Sequence, residues 1–236
     1  MTEPLRLAKC VVALAQCSRR EAEQYIEGGW VRVDGEVIDE PQFMVTGQQV
    51  TLDPEATLEV AEPATILLHK PAGLDEDAAR RLISPDSHVG DDRSGVRPLK
   101  RHFARLVSRL PLPAEGSGLV VYTQDWRVRR RLEDEGDRIE QELLVEVSGE
   151  LAPNGLALLN HGLNFNGYAM PPIKVSWQSE HRLRFAIRRM QPSQIGRMCE
   201  AVGLRMLSMK RLRIGRLPLA RMPAGEWRYA AASERF

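Results

Sequence analysis

The sequence predicts an α+β chain in two parts: a small module of helices and a hairpin, then a larger domain on a mixed or antiparallel sheet. Three observations carry this. Leu5, Ala8, Val12 and Ala15 recur at helical spacing. Leu183, Phe185 and Ile187 alternate with arginines and Ala186, as in a strand with one buried and one wetted face. Between them, Glu62-Pro63-Ala64 reads as a linker, dividing residues 1–62 from 63–236.

In the first part the helical spacing spans about 5–16. Ser18-Arg19-Arg20-Glu21 is a capping box opening a second helix, which runs to Glu27 and stops at Gly28-Gly29. Trp30–Val33, Asp34-Gly35 and Glu36–Ile38 read as a hairpin with a type I′ turn. In the second part, strands are expected at 65–69, 118–123, 139–148, 182–189 and 204–217. Helices are expected at 126–135, 152–161 and 193–202, the last capped by Ser193 and closed by Gly203. Residues 75–108 give no clear pattern.

Hydrophobic residues make up 43% of the 236 and charged residues 28%, which suits a packed core and excludes a disordered chain. No run approaches the roughly 18 apolar residues of a membrane span. The apolar run Cys10–Ala15 ends at Gln16 and lacks the form of a signal peptide, so a cytoplasmic protein is expected. Cys10, Cys17 and Cys199 show no CxxC spacing and read as core thiols. Asp75, Asp77, Asp86, Asp91 and Asp92 form no metal-ligand pattern. His69, His88, His102, His161 and His181 stand in no nucleophile motif.

Charge is segregated. Residues 34–62 carry eight acidic side chains and no Lys or Arg; residues 182–228 carry twelve basic ones against Glu200 and Glu226, a formal +10. Such a basic stretch points to a polyanion, and nucleic acid is the expected partner. The acidic run reads as a solvated hairpin face, with docking of a basic protein as the alternative. Arg19 and Arg20 occupy the first turn of a helix, where the macrodipole disfavours cations, which suits a pair presented to phosphates.

The stretch RLAKCVVALAQCSRREAEQYIEGGWVRVDGEVI resembles the small alpha-L RNA-binding domain of the ribosomal protein S-four type, over residues 5–50. The resemblance implies that Arg6, Lys9, Ser18, Arg19, Arg20 and the Asp34-Gly35 turn face structured RNA. The segments LLHKPAGL, SGLVVYTQD, EQELLVEV, SQIGRMCEAVG and MKRLRIGRLPLARMPAGEW resemble, in order, the bacterial ribosomal-RNA pseudouridine synthases that carry that domain at their N-terminus, of the RluF-like group. This implies a monomer that binds structured RNA, ribosomal RNA first, through both units, with no cofactor and no metal. In the basic C-terminal stretch, Arg197, Lys210, Arg211 and Arg213 are the expected RNA contacts.

The family's reaction detaches uracil from its sugar, turns it and reattaches it through carbon. The resemblance implies an ionised Asp at the sugar, an Arg holding that charge in a dry site, and a Tyr that stacks on the base and assists proton removal. The nucleotide leaves its stack to reach them. The family's Arg-Leu-Asp-x-x-(Thr/Ser)-x-Gly-Leu, anchored on Gly118-Leu119, puts its Asp at Pro113, with Leu112 and Pro111 before it. Its Glu-Lys-x-Tyr strand puts the Tyr at Leu143 and the Lys at Gln141. Its Arg-Gln-(Val/Ile)-Arg-Arg-Met puts the Arg at Gly196, with Ser193 at the first arginine. All three positions hold residues that cannot titrate. The expected protein therefore binds RNA on a synthase scaffold with no working isomerase site. The alternative is an active synthase with Glu115 as substitute carboxylate. Asp125 lies roughly 20 Å off, at the far end of a strand rising about 3.3 Å per residue. Trp126, Tyr122, Trp177, Tyr168 and Phe165 are candidate stacking rings, Tyr122 fitting the core better.

Overall fold

The computed structural model describes residues 3–58, 62–161, 163–165, 168–188, 191 and 193–236. It divides into two compact units: Met1–Pro63 with Val96–Arg105, and Ala64–Gly95 with Leu106–Phe236.

In the first unit, Leu5–Arg6 is a short strand (β1), followed by helices α1 (Leu7–Ala15) and α2 (Arg19–Glu27). Strands β2 (Val31–Val33), β3 (Glu36–Val37), β4 (Met44–Val45) and β5 (Val50–Leu52) follow. β3, β2 and β5 form an antiparallel sheet, and β1 pairs with β4. Helix α1 starts two residues later than its apolar spacing suggests. The Leu7 and Ala8 amides bond to the carbonyls of Phe43 (2.7 Å) and Pro41 (3.1 Å), so this loop satisfies the helix's first donors and Arg6 stays extended. The capping box is present: Glu21 N donates to Ser18 Oγ (3.2 Å) and Ser18 N to Glu21 Oε2 (2.7 Å). Asp34 (φ 50°) and Gly35 (φ 88°) make the tight turn between β2 and β3. Leu7, Val11, Ala22, Ile26, Val31, Val33 and Val45 form the core.

Val96–Arg105 folds against this unit, although sequence reading leaves it in the second part. The Arg97 guanidinium lies 4.0 Å over the Trp30 ring, donates to Gly29 O (2.8 Å) and pairs with Asp53 (3.2 Å). Leu99 is buried against Gly29, whose positive φ (70°) and missing side chain leave room for it. Lys100 pairs with Glu40, and the Arg101 amide donates to Asp39 (3.3 Å). Part of the acidic run is thus covered by the chain's own basic segment.

The second unit holds β6 (Thr65–Lys70), α3 (Glu76–Arg80), β7 (Val107–Arg109), β8 (Gly116–Thr123), α4 (Trp126–Asp134), β9 (Gln141–Gly149) and α5 (Gly155–Asn160). Then come β10 (Asn164–Phe165), β11 (Tyr168–Ala169), β12 (Lys174–Ser179), β13 (Arg182–Ile187), α6 (Gln194–Glu200), β14 (Leu204–Ile214), β15 (Leu217–Pro218) and β16 (Trp227–Tyr229). A nine-stranded sheet runs β12-β13-β9-β14-β8-β6-β16, with β15 on β14 and β7 on β8. Its pairs are antiparallel except β14 with β8, so the sheet is mixed. Leu143, Val145 and Val147 of β9 and Leu183, Phe185 and Ile187 of β13 are buried, while Arg182 and Arg184 face outward, as the alternation predicts.

Two expectations are corrected. Ser193 makes no cap hydrogen bond: its backbone is left-handed (φ 60°), and the Gln194 side chain takes the Gln191 amide instead (2.8 Å). β12 was unforeseen because, as an edge strand, it buries only Val175 and shows no apolar alternation. The unreadable stretch contains α3, capped by Asp75 (2.8 Å to the Ala78 amide), and β7. It also holds His88, which stacks 4.3 Å from Trp227 and bonds to Asp92 (2.7 Å), fixing the loop to β16.

His102, buried in the docked segment, has its pKa pulled from 6.5 down to about 4 by burial, with Arg101 adding to it. The unfolded chain binds this proton first, so stability falls as pH drops from about 6.5 toward 4. Thermal melts across that range should show the loss, and His102→Gln should flatten it; an unchanged slope would show that His102 is not held neutral.

Candidate functional site

Two features of the first unit are relevant to an anionic ligand. A groove of about 670 Å³ opens beside β1 and α1. Pro4, Leu5, Ala8, Val12, Pro41 and Met44 give it an apolar lining, and Arg6, Lys9 and Arg19 its charge, with Glu23 and Gln42. Arg6, Lys9, Arg19 and Arg20 are exposed. Arg19 is paired with Glu23 (2.9 Å) but remains 76% exposed, so the pair restrains it without burying it. The Ser18 amide holds the Glu21 carboxyl below its ordinary range, which fixes the anionic end of the capping box beneath the two arginines. Asp34 and Gly35 do not line the groove. They form the exposed hairpin tip, where Asp34 accepts from the Gln49 amide (2.9 Å) and Gly35 O from Arg32 (3.0 Å).

In the second unit only one of the three expected catalytic positions, Leu143, lies on a central strand; Pro113 is in the turn before β8 and Gly196 on α6. Lys70, Gly118, Arg211, Leu143, Phe185 and Val175 lie side by side in one row across six strands. Lys70 and Arg211 flank Gly118, and Leu143 flanks Arg211 on its other side. Leu143 and Arg211 are both 0% exposed. Gly118 has φ 109°, and a side chain there would overlap the Arg211 backbone. Lys70 Nζ donates to the carbonyls of Pro71 (3.2 Å), Ala114 (3.1 Å) and Gly116 (2.6 Å), tying the end of β6 to the turn that carries Pro113. The Gly116 amide closes that turn on Pro113 O (3.0 Å).

Burial pulls the Lys70 pKa down, Glu115 opposes this and Arg211 adds to it. Burial also pulls Arg211 down to about 9, so its guanidinium stays charged at neutral pH. Arg211 donates to Leu119 O (2.7 Å) and Gln141 Oε1 (2.8 Å), and its Nη2 has no partner among the described residues. The row thus holds two buried cations and no carboxylate.

Leu143 therefore lies on one side of β14, and β8, which the Pro113 turn precedes, on the other. Gly196 is on α6, where an added Cβ would meet Met206 Cε at 3.6 Å. Met206 lies on the same β14, five residues before Arg211, or about 16 Å along a strand. Gly196, on a helix facing that end of β14, is therefore outside the row. Glu115 is exposed, and the charge it feels from the row is that of Lys70.

One expected RNA contact is corrected: Arg211 is wholly enclosed and cannot reach a phosphate. Arg213 is half-buried and pairs with Glu140 (2.8 Å) and Glu142 (3.1 Å), which also holds Arg184. Arg228 pairs with Glu234 (2.7 Å). These acids lie outside residues 182–228, so the count of +10 overstates the free charge. Lys210 is half-buried and Arg197 exposed, and neither makes an ion pair among the described residues. Tyr122 is core, its hydroxyl donating to Glu76 O (3.1 Å). Trp126 is 60% exposed and Trp177 39%; the Phe165 and Tyr168 side chains lie outside the described residues. Lys70 was missed, although a lysine closing an apolar strand before Pro71 is a visible anomaly.

The S4 domain matches residues 5–50, the residues that build the groove. The dual-specificity RNA pseudouridine synthase RluF of Escherichia coli K12 is 26% identical over 226 residues, covering 95% of this chain and 74% of that protein. The ribosomal large subunit pseudouridine synthase B of Bacillus subtilis is 26% identical, covering 94% and 91%. This chain carries an S4 domain and is a homologue of the RluF- and RluB-type pseudouridine synthases. A crystal structure of a pseudouridylate synthase shares the fold, with a TM-score of 0.61 at 20% identity over 97% of both chains.

In this synthase homologue the Gly118–Arg211 contact is the tightest approach in the row. Gly118→Ala combines a positive φ with backbone overlap and should cost about 3 kcal/mol or more. Urea unfolding measures this; a loss under about 1 kcal/mol would mean β8 and β14 are not locked there.

Proposed function

We propose that this protein binds structured RNA, ribosomal RNA first, as a pseudouridine synthase homologue whose isomerase site no longer performs the chemistry. The observation that supports this most directly is the Lys70–Arg211 row. The fold is that of a pseudouridylate synthase, and the positions that the motif resemblance assigns to Asp and Tyr are Pro113 and the fully enclosed Leu143. Isomerisation needs a carboxylate at the sugar and a ring over the base, and neither side chain supplies them. Gly196 likewise offers no guanidinium. Glu115 stands exposed, without the arginine that a substitute nucleophile needs to stay ionised in a dry site.

RNA binding is supported by the S4 groove and by the names of the relatives, one of them a ribosomal large subunit enzyme. We assign Arg6, Lys9, Ser18, Arg19, Arg20, Asp34 and Gly35 to this contact, with Arg197 and Lys210 from the second unit. The protein acts as a monomer without cofactor or metal.

Binding to a transcribed large-subunit ribosomal RNA fragment should weaken steeply as salt rises, because phosphate contacts release counterions. Substituting Arg6 and Lys9 together by Ala should lower the slope of log affinity against log salt by about 2. Salt-insensitive binding, or a wild-type slope in the double variant, would contradict the assignment.

A further inference from the structure

The first 63 residues hold twelve acidic side chains against five basic ones, a formal −7. That sign is wrong for a unit that takes a polyanion. Part of the compensation, +4 of it, comes from a distant part of the chain and leaves the unit at a formal −3. Val96–Arg105 contains Arg97, Lys100, Arg101 and Arg105 and no acid, and it folds with this unit. Its docking divides into an anchor and a charge pair. Arg97 over Trp30, with Gly29 and Asp53, and the buried Leu99 hold the segment in place. Lys100 then pairs with Glu40. Glu40 does not line the groove but is bonded to Pro41, which lines it with Arg6 and Lys9, so an unpaired Glu40 would put a negative charge within one residue of that lining. Asp39 beside it accepts the Arg101 amide.

We propose that Val96–Arg105 is a built-in charge complement of the RNA-binding groove, anchored by Arg97 and Leu99 and neutralising Glu40 through Lys100. This rests on the RNA-binding reading and extends the RNA-determining surface beyond the S4 domain itself. Lys100 acts here as a positioning charge and not as a phosphate ligand. The distinction has a clear signature. Glu40 and Lys100 offset each other's fields at the groove, so removing both restores the balance.

The test uses the full chain, a transcribed large-subunit ribosomal RNA fragment, and Lys100→Gln, Glu40→Gln and the double variant. Lys100→Gln should weaken binding about twofold near 0.15 M salt and about fivefold at 0.01 M, where the screening length grows from about 8 to 30 Å. Glu40→Gln should tighten binding by similar factors, and the double variant should return to wild type. A double variant as weak as Lys100→Gln alone would make Lys100 a direct phosphate contact and overturn the proposal, as would a Glu40→Gln variant that fails to tighten. Hydrogen exchange without RNA reads docking separately: the Val96–Arg105 amides should be protected, and Arg97→Ala should release them. RNA binding with a freely exchanging segment overturns the charge complement alone. A protected segment in a protein that binds no RNA overturns the RNA reading and this proposal with it.

Discussion

The second unit is organised around a glycine that cannot be anything else. At Gly118, β8 runs parallel to β14 so closely that a side chain would occupy the Arg211 backbone. That approach sets the spacing of the row in which Lys70 and Arg211 stand on either side of it. Lys70 then donates to Ala114 O and Gly116 O, and to its own neighbour Pro71 O, which ties the turn before β8 to the end of β6. The turn that carries Pro113 is held by glycine, backbone and a buried lysine. None of these contacts uses the side chain at 113.

Buried cations without a carboxylate are costly, because desolvation is not repaid by an opposite charge. Here backbone and amide oxygens meet most of that demand: three carbonyls for Lys70, Leu119 O and Gln141 for Arg211. The cations are therefore held as structural parts, and their charge is spent inside the fold. The RNA-facing charge has to come from elsewhere, from the rim of the S4 groove and from exposed arginines of the second unit. Counting basic residues along the sequence merges these two populations, and only burial separates them.

Much of the fold was legible because local rules and tertiary structure agree. The Ser18–Glu21 box, the Asp34-Gly35 turn and the alternation of Leu183, Phe185 and Ile187 each need only a few neighbouring residues. What was illegible depended on distant partners. Arg97 finds Asp53 across 44 residues and Gly29 across 68. β12 pairs at an edge with little to bury. Ser193 has the right side chain for a cap but the wrong backbone. For the candidate site, Pro113 and Leu143 come from the pattern alone. The burial of Arg211 and the pairing of Arg213 with Glu140 and Glu142 were not, since a cation in a strand looks the same on either face. Lys70 was readable in principle, as a charge ending an apolar strand.

The central claim is that the presenting frame persists without the group it presented. Reattaching uracil through carbon displaces the hydrogen on the carbon that forms the new bond, so RNA labelled with tritium at C5 of uridine reports each turnover as tritiated water. With large-subunit ribosomal RNA and excess protein, the account predicts saturable binding and no release above a protein-free control. Release reaching one equivalent per protein-bound site would contradict it and return the chain to the active synthases.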